Sequence, residues 1–115
     1  MERSSEKRRE PRRAKVKANV WIRETAEENA PLVAGKVRDL SYGGLCFTGR
    51  RKFGKNSLVY MLLETGYGLV RASGRVAYVQ EEAGSEGMVE TGVAFFDFGL
   101  YARDAISKII SKNIH

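Results

Sequence analysis

Hydrophobic and polar residues alternate with a period of two along most of this chain. The alternation is clearest from Ala14 to Ile22, where every even position is apolar and the positions between are mostly polar. This period places one face of an extended segment on a core and the other in water, so it predicts a β-strand. Five further extended segments, separated by glycine-rich or polar turns, are predicted over residues 32–40, 45–48, 57–63, 69–80 and 88–96.

The period changes near the end of the chain. Apolar residues recur there at three- and four-residue spacing, with basic residues on the other face, which predicts an amphipathic helix. Asp97 is expected to cap its N-terminus. The apolar positions are Leu100, Ala102, Ala105, Ile106, Ile109 and Ile110. Six short strands and one helix predict a mainly β fold, a single antiparallel six-stranded β-barrel with a C-terminal α-helix packed across an open end.

Composition limits the class of protein. A chain of 115 residues, 43% of them hydrophobic, is long enough for one domain with its own core. No apolar run approaches the roughly 20 residues of a membrane span, and the first residues lack the apolar core of a secretory signal, so a cytoplasmic protein is predicted. The single cysteine, Cys46, excludes an internal disulfide and is expected in the core between Leu45 and Phe47. With His115 as the one histidine, a zinc site is not expected.

Positive charge is concentrated at the start of the chain. The net charge is +6, and residues 1–17 carry eight lysines and arginines against three glutamates. This divides the chain into a flexible basic arm, residues 1–13, and a nearly neutral barrel with its helix, residues 14–115. The arm is open to three interpretations: a solvated terminus, a loose nucleic-acid-binding tail, or an anion clamp that becomes ordered when its ligand binds.

Two short segments carry the candidate chemistry, Arg8-Arg9-Glu10-Pro11-Arg12-Arg13 and Asp39-Leu40-Ser41-Tyr42-Gly43-Gly44. Guanine presents N7 and O6 to a planar arginine fork, and N1–H and its amino group to one carboxylate, for which Asp39 is placed. Ser41 can bond a phosphate oxygen or fix the turn through its own backbone. Gly44 permits a ligand to approach the main chain closely. Taken alone, the second segment is an ordinary polar turn, and only the arm before it favours a nucleotide site.

The order Arg-x-x-x-Arg, a strand, then Asp-x-Ser-x-x-Gly resembles the PilZ domain, a bacterial receptor for cyclic di-GMP. The segments Gly74-Arg75-Val76-Ala77-Tyr78 and Gly92-Val93-Ala94-Phe95-Phe96-Asp97, followed by a helix, are also similar to the closing strands of that family. The resemblance extends from Arg8 to Ile110. It implies a barrel of the PilZ type, cyclic di-GMP as the ligand, no cofactor and no enzymatic activity.

The resemblance also implies a role for individual residues. Arg9 and Arg13 would bind guanine and phosphate, and Asp39 would accept hydrogen bonds from the donor edge of guanine. Ser41 would bind a phosphate or fix the turn, and Gly44 would allow the close approach. Together these residues would form one cyclic di-GMP site.

A second arginine pair in the arm, Arg8 and Arg12, has the same spacing. We prefer Arg9 and Arg13 as the motif pair, because that register puts the apolar positions from residue 14 onward at the family's inward strand positions. In this family the residue before the first motif arginine influences whether one ligand or an intercalated pair binds, and Arg8 there favours the pair because it can stack on a second guanine. Further ligand contacts are implied at Arg12, Gly43 and Tyr78.

Two other functions stay open at this stage. A basic-armed barrel could bind nucleic acid, which predicts a steep salt dependence and indifference to the loss of Asp39. The fold could also serve as a ligand-independent adaptor for protein contacts. In the preferred interpretation nucleic acid is not the partner. Cyclic di-GMP instead draws the arm onto the barrel and changes the surface offered to an effector protein.

Overall fold

Six strands and one helix make up the part of the chain that the computed structural model describes, residues 14–27, 29–84, 86–98 and 100–113. The predicted arm, residues 1–13, lies outside these residues. The elements in chain order are β1 (Ala14–Glu24), β2 (Val33–Leu40), β3 (Gly44–Gly49), β4 (Leu58–Thr65), β5 (Gly68–Glu81), β6 (Val89–Phe98) and α1 (Leu100–Asn113).

The strands close into one barrel in the order β1-β2-β3-β6-β5-β4. Every neighbouring pair is antiparallel, and the pairing of β1 with β4 completes the closure. A closed barrel leaves no unpaired sheet edge among these strands. The predicted six-stranded antiparallel barrel with a C-terminal helix is confirmed.

Inward-facing side chains fill the barrel, as the alternation of the sequence predicts. Phe53, from the loop between β3 and β4, joins strand residues in this core. Its ring meets Phe47 edge to face, with centroids 6.2 Å apart. The largest side chains with almost no exposure are Phe47, Phe53, Ile22, Leu40, Met61 and Leu63. Burial of each stabilises the fold by about 1.5–3 kcal/mol before entropy is counted.

The helix covers one end of the barrel, where it packs against β1 and β5. Its buried residues fall at the spacing that predicted an amphipathic helix: Ala102, Ala105, Ile106, Ile109 and Ile110. The predicted cap is wrong. Strand β6 continues to Phe98, and the backbone of Asp97 pairs with Ser73 of β5, so Asp97 belongs to the sheet and α1 begins later, at Leu100.

Candidate ligand-binding site

Four residues from four neighbouring strands form one row across the outside of the barrel. Asp39 of β2 pairs with Cys46 of β3, Cys46 pairs with Gly92 of β6, and Gly92 pairs with Tyr78 of β5. The residues flanking Cys46 in β3 belong to the core. Because side chains alternate across a strand, Cys46 therefore faces outward. We call this set of four the outer row.

Two β-bulges shape the outer row. On β2 the register against β3 shifts between Val37 and Asp39, so Arg38 and Asp39 oppose a single residue of β3. On β5 the register against β6 shifts between Val76 and Tyr78. A bulge interrupts the alternation and re-aims the side chain that follows it. This is why Tyr78, which strict alternation would turn inward, lies on the outer surface with 39% of its area exposed.

The ring of Tyr78 lies over Gly92. A Cβ at position 92 would overlap that ring, so glycine allows the aromatic ring to lie across β6. The Tyr78 hydroxyl donates to Glu90 Oε2 at 2.8 Å and lies 3.4 Å from Cys46 Sγ. Burial, reinforced by the contacts with Cys46 and Glu90, raises the pKa of Tyr78. Burial also raises the pKa of the Cys46 thiol to about 11.

A tight turn after β2 forms one end of the site. The Ser41 hydroxyl is buried; it accepts from the Gly43 N–H at 3.2 Å and donates to the Gly44 carbonyl at 3.3 Å. The Ser41 N–H donates to that same carbonyl at 2.8 Å. Next, the Gly43 carbonyl accepts from the Phe95 N–H at 2.9 Å, which joins the turn to β6. We call residues 41–44 the Ser41 turn. The hydrogen bonds of the Ser41 hydroxyl thus lie within the turn, and its role toward a ligand stays a prediction.

Small residues form the floor of a shallow cavity of about 220 Å³ between the Ser41 turn and Tyr78. Gly44 lies so close to β6 that a Cβ there would overlap the Val93 carbonyl oxygen. The residues lining the cavity are Ser41, Gly43, Gly44, Leu45, Cys46, Ala77, Tyr78, Gly92, Val93 and Ala94. A floor with few side-chain atoms lets a flat ligand approach the backbone.

Comparison with known proteins identifies the family. The family model for the PilZ domain matches residues 6–112. The chain belongs to the PilZ domain family. Among curated proteins no significant sequence match was found.

Solved structures agree with this PilZ fold. The PilZ domain of YcgR from Escherichia coli, solved with c-di-GMP, has a TM-score of 0.73 at 13% identity, covering 92% of that chain and 93% of this one. The Bacillus subtilis inhibitor of motility, MotI/DgrA, has a TM-score of 0.74 at 12% identity over 92% of this chain. MrkH of K. pneumonia in its apo state has a TM-score of 0.74 at 20% identity over 95% of this chain. This PilZ chain spans 51% and 53% of the MotI/DgrA and MrkH chains.

The structure brings five of the predicted site residues of this PilZ domain together: Asp39, Ser41, Gly43, Gly44 and Tyr78. All five belong to the outer row or to the Ser41 turn. The other four predicted residues, Arg8, Arg9, Arg12 and Arg13, lie outside the described residues. Their placement, and the choice between the two arginine pairs, stays a prediction.

Cys46 is buried, as predicted for a core residue, but it does not belong to the hydrophobic cluster inside the barrel. Its side chain is buried, but Tyr78 covers it on the outside of the barrel. Sequence reasoning also missed Gly92, whose lack of a side chain makes room for Tyr78. The alternation around residue 46 already indicates that Cys46 faces outward, because Leu45 and Phe47 on either side of it both face the core.

Arg38 and two glutamates line the side of the outer row. The Arg38 guanidinium pairs with Glu82 and lies 3.7 Å from Glu90. Glu90 in turn accepts a hydrogen bond from the Tyr78 hydroxyl. Glu82 raises the pKa of Arg38. The Arg38 charge is therefore already matched by carboxylates within the barrel.

Tyr42, in the middle of the Ser41 turn, links the site to the helix. Its hydroxyl donates to Ser107 Oγ of α1 at 2.8 Å. Within the described residues, the side chains include no group of metal-ligating residues that could hold an ion, and α1 is neither long nor apolar enough to cross a membrane.

Proposed function

We propose that this chain is a receptor for cyclic di-GMP, which it binds with the basic arm, the Ser41 turn and the outer row. The observation that supports this most directly is the small-residue floor beside Asp39, on a barrel of the PilZ family. The PilZ domain of YcgR, which has the same fold, was solved with this ligand.

Hydrogen-bonding groups in the chain match the two edges of guanine. A carboxylate at Asp39 can accept from N1–H and from the amino group at once. Arg9 or Arg13 can give a two-pronged donor to N7 and O6, and the other can neutralise a phosphate. Each charge-assisted hydrogen bond contributes roughly 1.5–3 kcal/mol, so a few of them offset the cost of ordering the arm and the ligand.

Shape supports the same ligand. The small residues of the cavity floor, Gly44 among them, leave room for a purine ring, and Tyr78, whose ring covers Gly92, forms an aromatic wall at the end of that floor. Ser41 acts in this proposal by positioning the turn, because its one hydroxyl hydrogen is already donated to the Gly44 carbonyl. Gly43, held to β6 through its carbonyl, keeps the turn against the barrel.

The signal in this proposal is a change of surface. Bound ligand draws residues 1–13 onto the barrel, an order–disorder switch that alters what an effector protein meets. Arg8, next to the preferred motif pair, supplies a further flat cation that can stack on a second guanine and favour an intercalated pair of ligands.

Titration calorimetry with cyclic di-GMP tests the proposal, with GMP, cyclic di-AMP and a short DNA single strand as controls. We expect saturable, guanine-selective binding, and a loss of at least about ten-fold in Asp39→Ala or Arg9→Ala, because each removes charge-assisted hydrogen bonds. Arg3→Ala, a change in the same arm but outside the motif, is the matched control and should bind normally. Normal binding by a variant lacking both Arg9 and Arg13 contradicts the assignment of the arm.

The same titration resolves the two arginine pairs and the stoichiometry. If Arg9 and Arg13 are the motif pair, the double alanine variant at these positions loses most of its affinity. The Arg8→Ala/Arg12→Ala variant then retains binding but changes from two ligands per chain to one. The reverse pattern would assign the motif to Arg8 and Arg12.

A further inference from the structure

A second surface of the barrel, on β1, β4 and β5, combines aromatic, aliphatic and arginine side chains. Trp21 of β1 pairs with Leu62 of β4, which pairs with Arg71 of β5. In the next outward row, Arg23 pairs with Tyr60. Two positions further along β4, Leu58 pairs with Arg75. We call Trp21, Arg23, Tyr60, Leu62, Arg71 and Arg75 the arginine face.

Among the side chains that the structure describes, the three guanidinium groups of the arginine face form no ion pair with a carboxylate. Arg23 stacks on Tyr60, 5.0 Å from the ring centroid, and donates to the Glu24 carbonyl. Arg75 donates to the Asn56 carbonyl at 3.3 Å. Each guanidinium retains donors for a two-pronged contact with a carboxylate.

The arginines elsewhere on the barrel that form ion pairs show the contrast. Arg38 pairs with Glu82 and Glu90. Arg51 lies 3.3 Å from Glu27 and 4.0 Å from Glu24. On those surfaces the protein neutralises its own cations. On the arginine face it leaves them available to a molecule that brings negative charge.

Apolar area accompanies these charges. Leu58 and Leu69, at the two ends of the face, are 40% and 64% exposed, and Trp21, Tyr60 and Leu62 are half-buried. Strands β4 and β5 contain no lysine, and neither does the part of β1 that pairs with β4. Tryptophan, tyrosine and arginine without lysine are the composition of the energetic centre of a protein–protein interface.

We propose that the arginine face is the docking surface for a partner protein that presents aspartates or glutamates around an apolar side chain. The apolar side chain would lie on Trp21 and Leu62, and the carboxylates would pair with the three arginines. A nucleic acid fits less well, because its phosphates need no aliphatic surface of this kind. The proposal stands independently of the cyclic di-GMP site, although the two surfaces adjoin: Arg75 pairs with Ala94, and Ala94 pairs with Gly44.

Selection of peptides from a random twelve-residue library tests this proposal, because Trp21 is the single tryptophan of the chain and reports on the face. Selected peptides are synthesised without tryptophan and titrated against the whole chain, with Trp21 emission as the readout. We expect enrichment in acidic residues next to leucine or phenylalanine. Affinity should fall at least about ten-fold in Arg23→Glu/Arg71→Glu/Arg75→Glu, because attraction becomes repulsion.

A matched variant controls for the change in net charge. Lys52→Glu/Arg103→Glu/Lys112→Glu reverses three exposed charges outside the arginine face, one in the loop between β3 and β4 and two on α1, and should bind the peptides normally. Urea unfolding of both variants checks the fold, and Arg71→Glu alone replaces the triple variant if that variant is unstable. Calorimetry with cyclic di-GMP on the same samples separates this face from the ligand site, since loss of peptide binding alone leaves the receptor proposal intact.

Three results would overturn the docking proposal. One is a set of selected peptides without acidic enrichment, or peptides that bind both charge-reversed variants equally. Another is a twelve-nucleotide thymidine strand that changes Trp21 emission and displaces the peptides, which would assign the face to nucleic acid. The third is a dimer in sedimentation experiments that Arg71→Glu dissociates, which would assign the face to a second copy of this chain.

Discussion

Two turns of this barrel have the same local hydrogen bonds but different surroundings. In the Ser41 turn, the serine hydroxyl accepts from the N–H two residues ahead and donates to the carbonyl three residues ahead. In the turn between β4 and β5, residues 65–68, the Thr65 hydroxyl accepts from the Tyr67 N–H at 2.9 Å and donates to the Gly68 carbonyl at 2.7 Å. Both turns have a hydroxyl residue followed by glycine three positions later. We call the second one the Thr65 turn.

The two glycines are required for different reasons. Gly68 has a φ of +112°, which side chains rarely adopt, and no atom lies within 4 Å of where a Cβ would point. Gly44 is constrained by the neighbouring strand, because a Cβ would overlap the Val93 carbonyl. Conformation demands glycine in one turn and close packing demands it in the other.

The residue two positions before each hydroxyl also differs. Leu63, before Thr65, is 2% exposed and faces the core. Asp39, before Ser41, belongs to the outer row because a bulge at Arg38 precedes it. The spacing of a turn therefore does not create a site by itself. The bulge and the close neighbouring strand turn one of two similar turns into the edge of a cavity.

The largest effect we predict comes from adding one methyl group to each turn. Gly44→Ala should lower the free energy of unfolding by about 3 kcal/mol, because β3 and β6 must separate to admit it. Gly68→Ala should cost only about 1 kcal/mol, for its unfavourable φ. Urea unfolding of both variants measures the difference. Equal losses would show that Gly44 is not held against β6 as tightly as the structure indicates.

A second prediction separates binding from stability. Asp39→Asn keeps the shape of the side chain but replaces one acceptor oxygen with a donor, so affinity for cyclic di-GMP should fall by about 2 kcal/mol. The melting temperature should change little. Glu64→Gln removes an exposed charge on β4, a strand that pairs with neither β2 nor β3, and serves as control. A similar loss of affinity in both variants would mean that net charge, not the guanine edge, is being sensed.

The two hydroxyl groups give a third contrast. Ser41→Ala removes a buried hydroxyl that bonds to the Gly43 N–H and to the Gly44 carbonyl, and should destabilise the protein by about 1.5 kcal/mol. Thr65→Ala changes an exposed turn whose backbone groups can bond to water, so we expect a loss below about 0.5 kcal/mol. Thermal unfolding of the pair checks this order. The comparison fails if Thr65 proves the more costly of the two.

The last prediction is an alkaline sensitivity of the outer row. The pKa of Cys46 rises from its ordinary 9.0 to about 11 in the folded protein. The unfolded chain therefore releases this proton first, and stability should fall as the pH rises from 9 towards 11. Burial raises the pKa of Tyr78 in the same direction. The slope of stability against pH should be shallower in Cys46→Ala and in Tyr78→Phe, and measuring unfolding by urea between pH 8 and about pH 11 checks this.

Alternation along the sequence predicts the barrel because each strand must direct one face to a single core. It predicts Val20 and Ile22 inside, and both are fully buried. The helix is predictable for the same reason, from Ile106, Ile109 and Ile110. These features depend on a repeating pattern, so they are readable from one sequence.

The site depends on interruptions of that pattern, which a periodic analysis cannot locate. Each of the bulges at Arg38 and Ala77 places one extra residue in a strand, and nothing in the residue types there marks its position. The bulges move Asp39 and Tyr78 to the outside. Likewise, the length of β6 is set by pairing with β5, which extends the strand through Asp97 and displaces the expected helix start.

The hydrogen bond between Tyr42 and Ser107 couples the position of α1 to the conformation of the Ser41 turn. The same helix inserts Ile106 and Ile110 into the end of the barrel. A ligand that favours one position of Tyr42 therefore also favours the position of α1 in which the hydrogen bond to Ser107 is kept. By thermodynamic reciprocity, a molecule that binds α1 and holds it in that position must raise the affinity of the turn for the ligand by the same factor by which the ligand raises the affinity for that molecule.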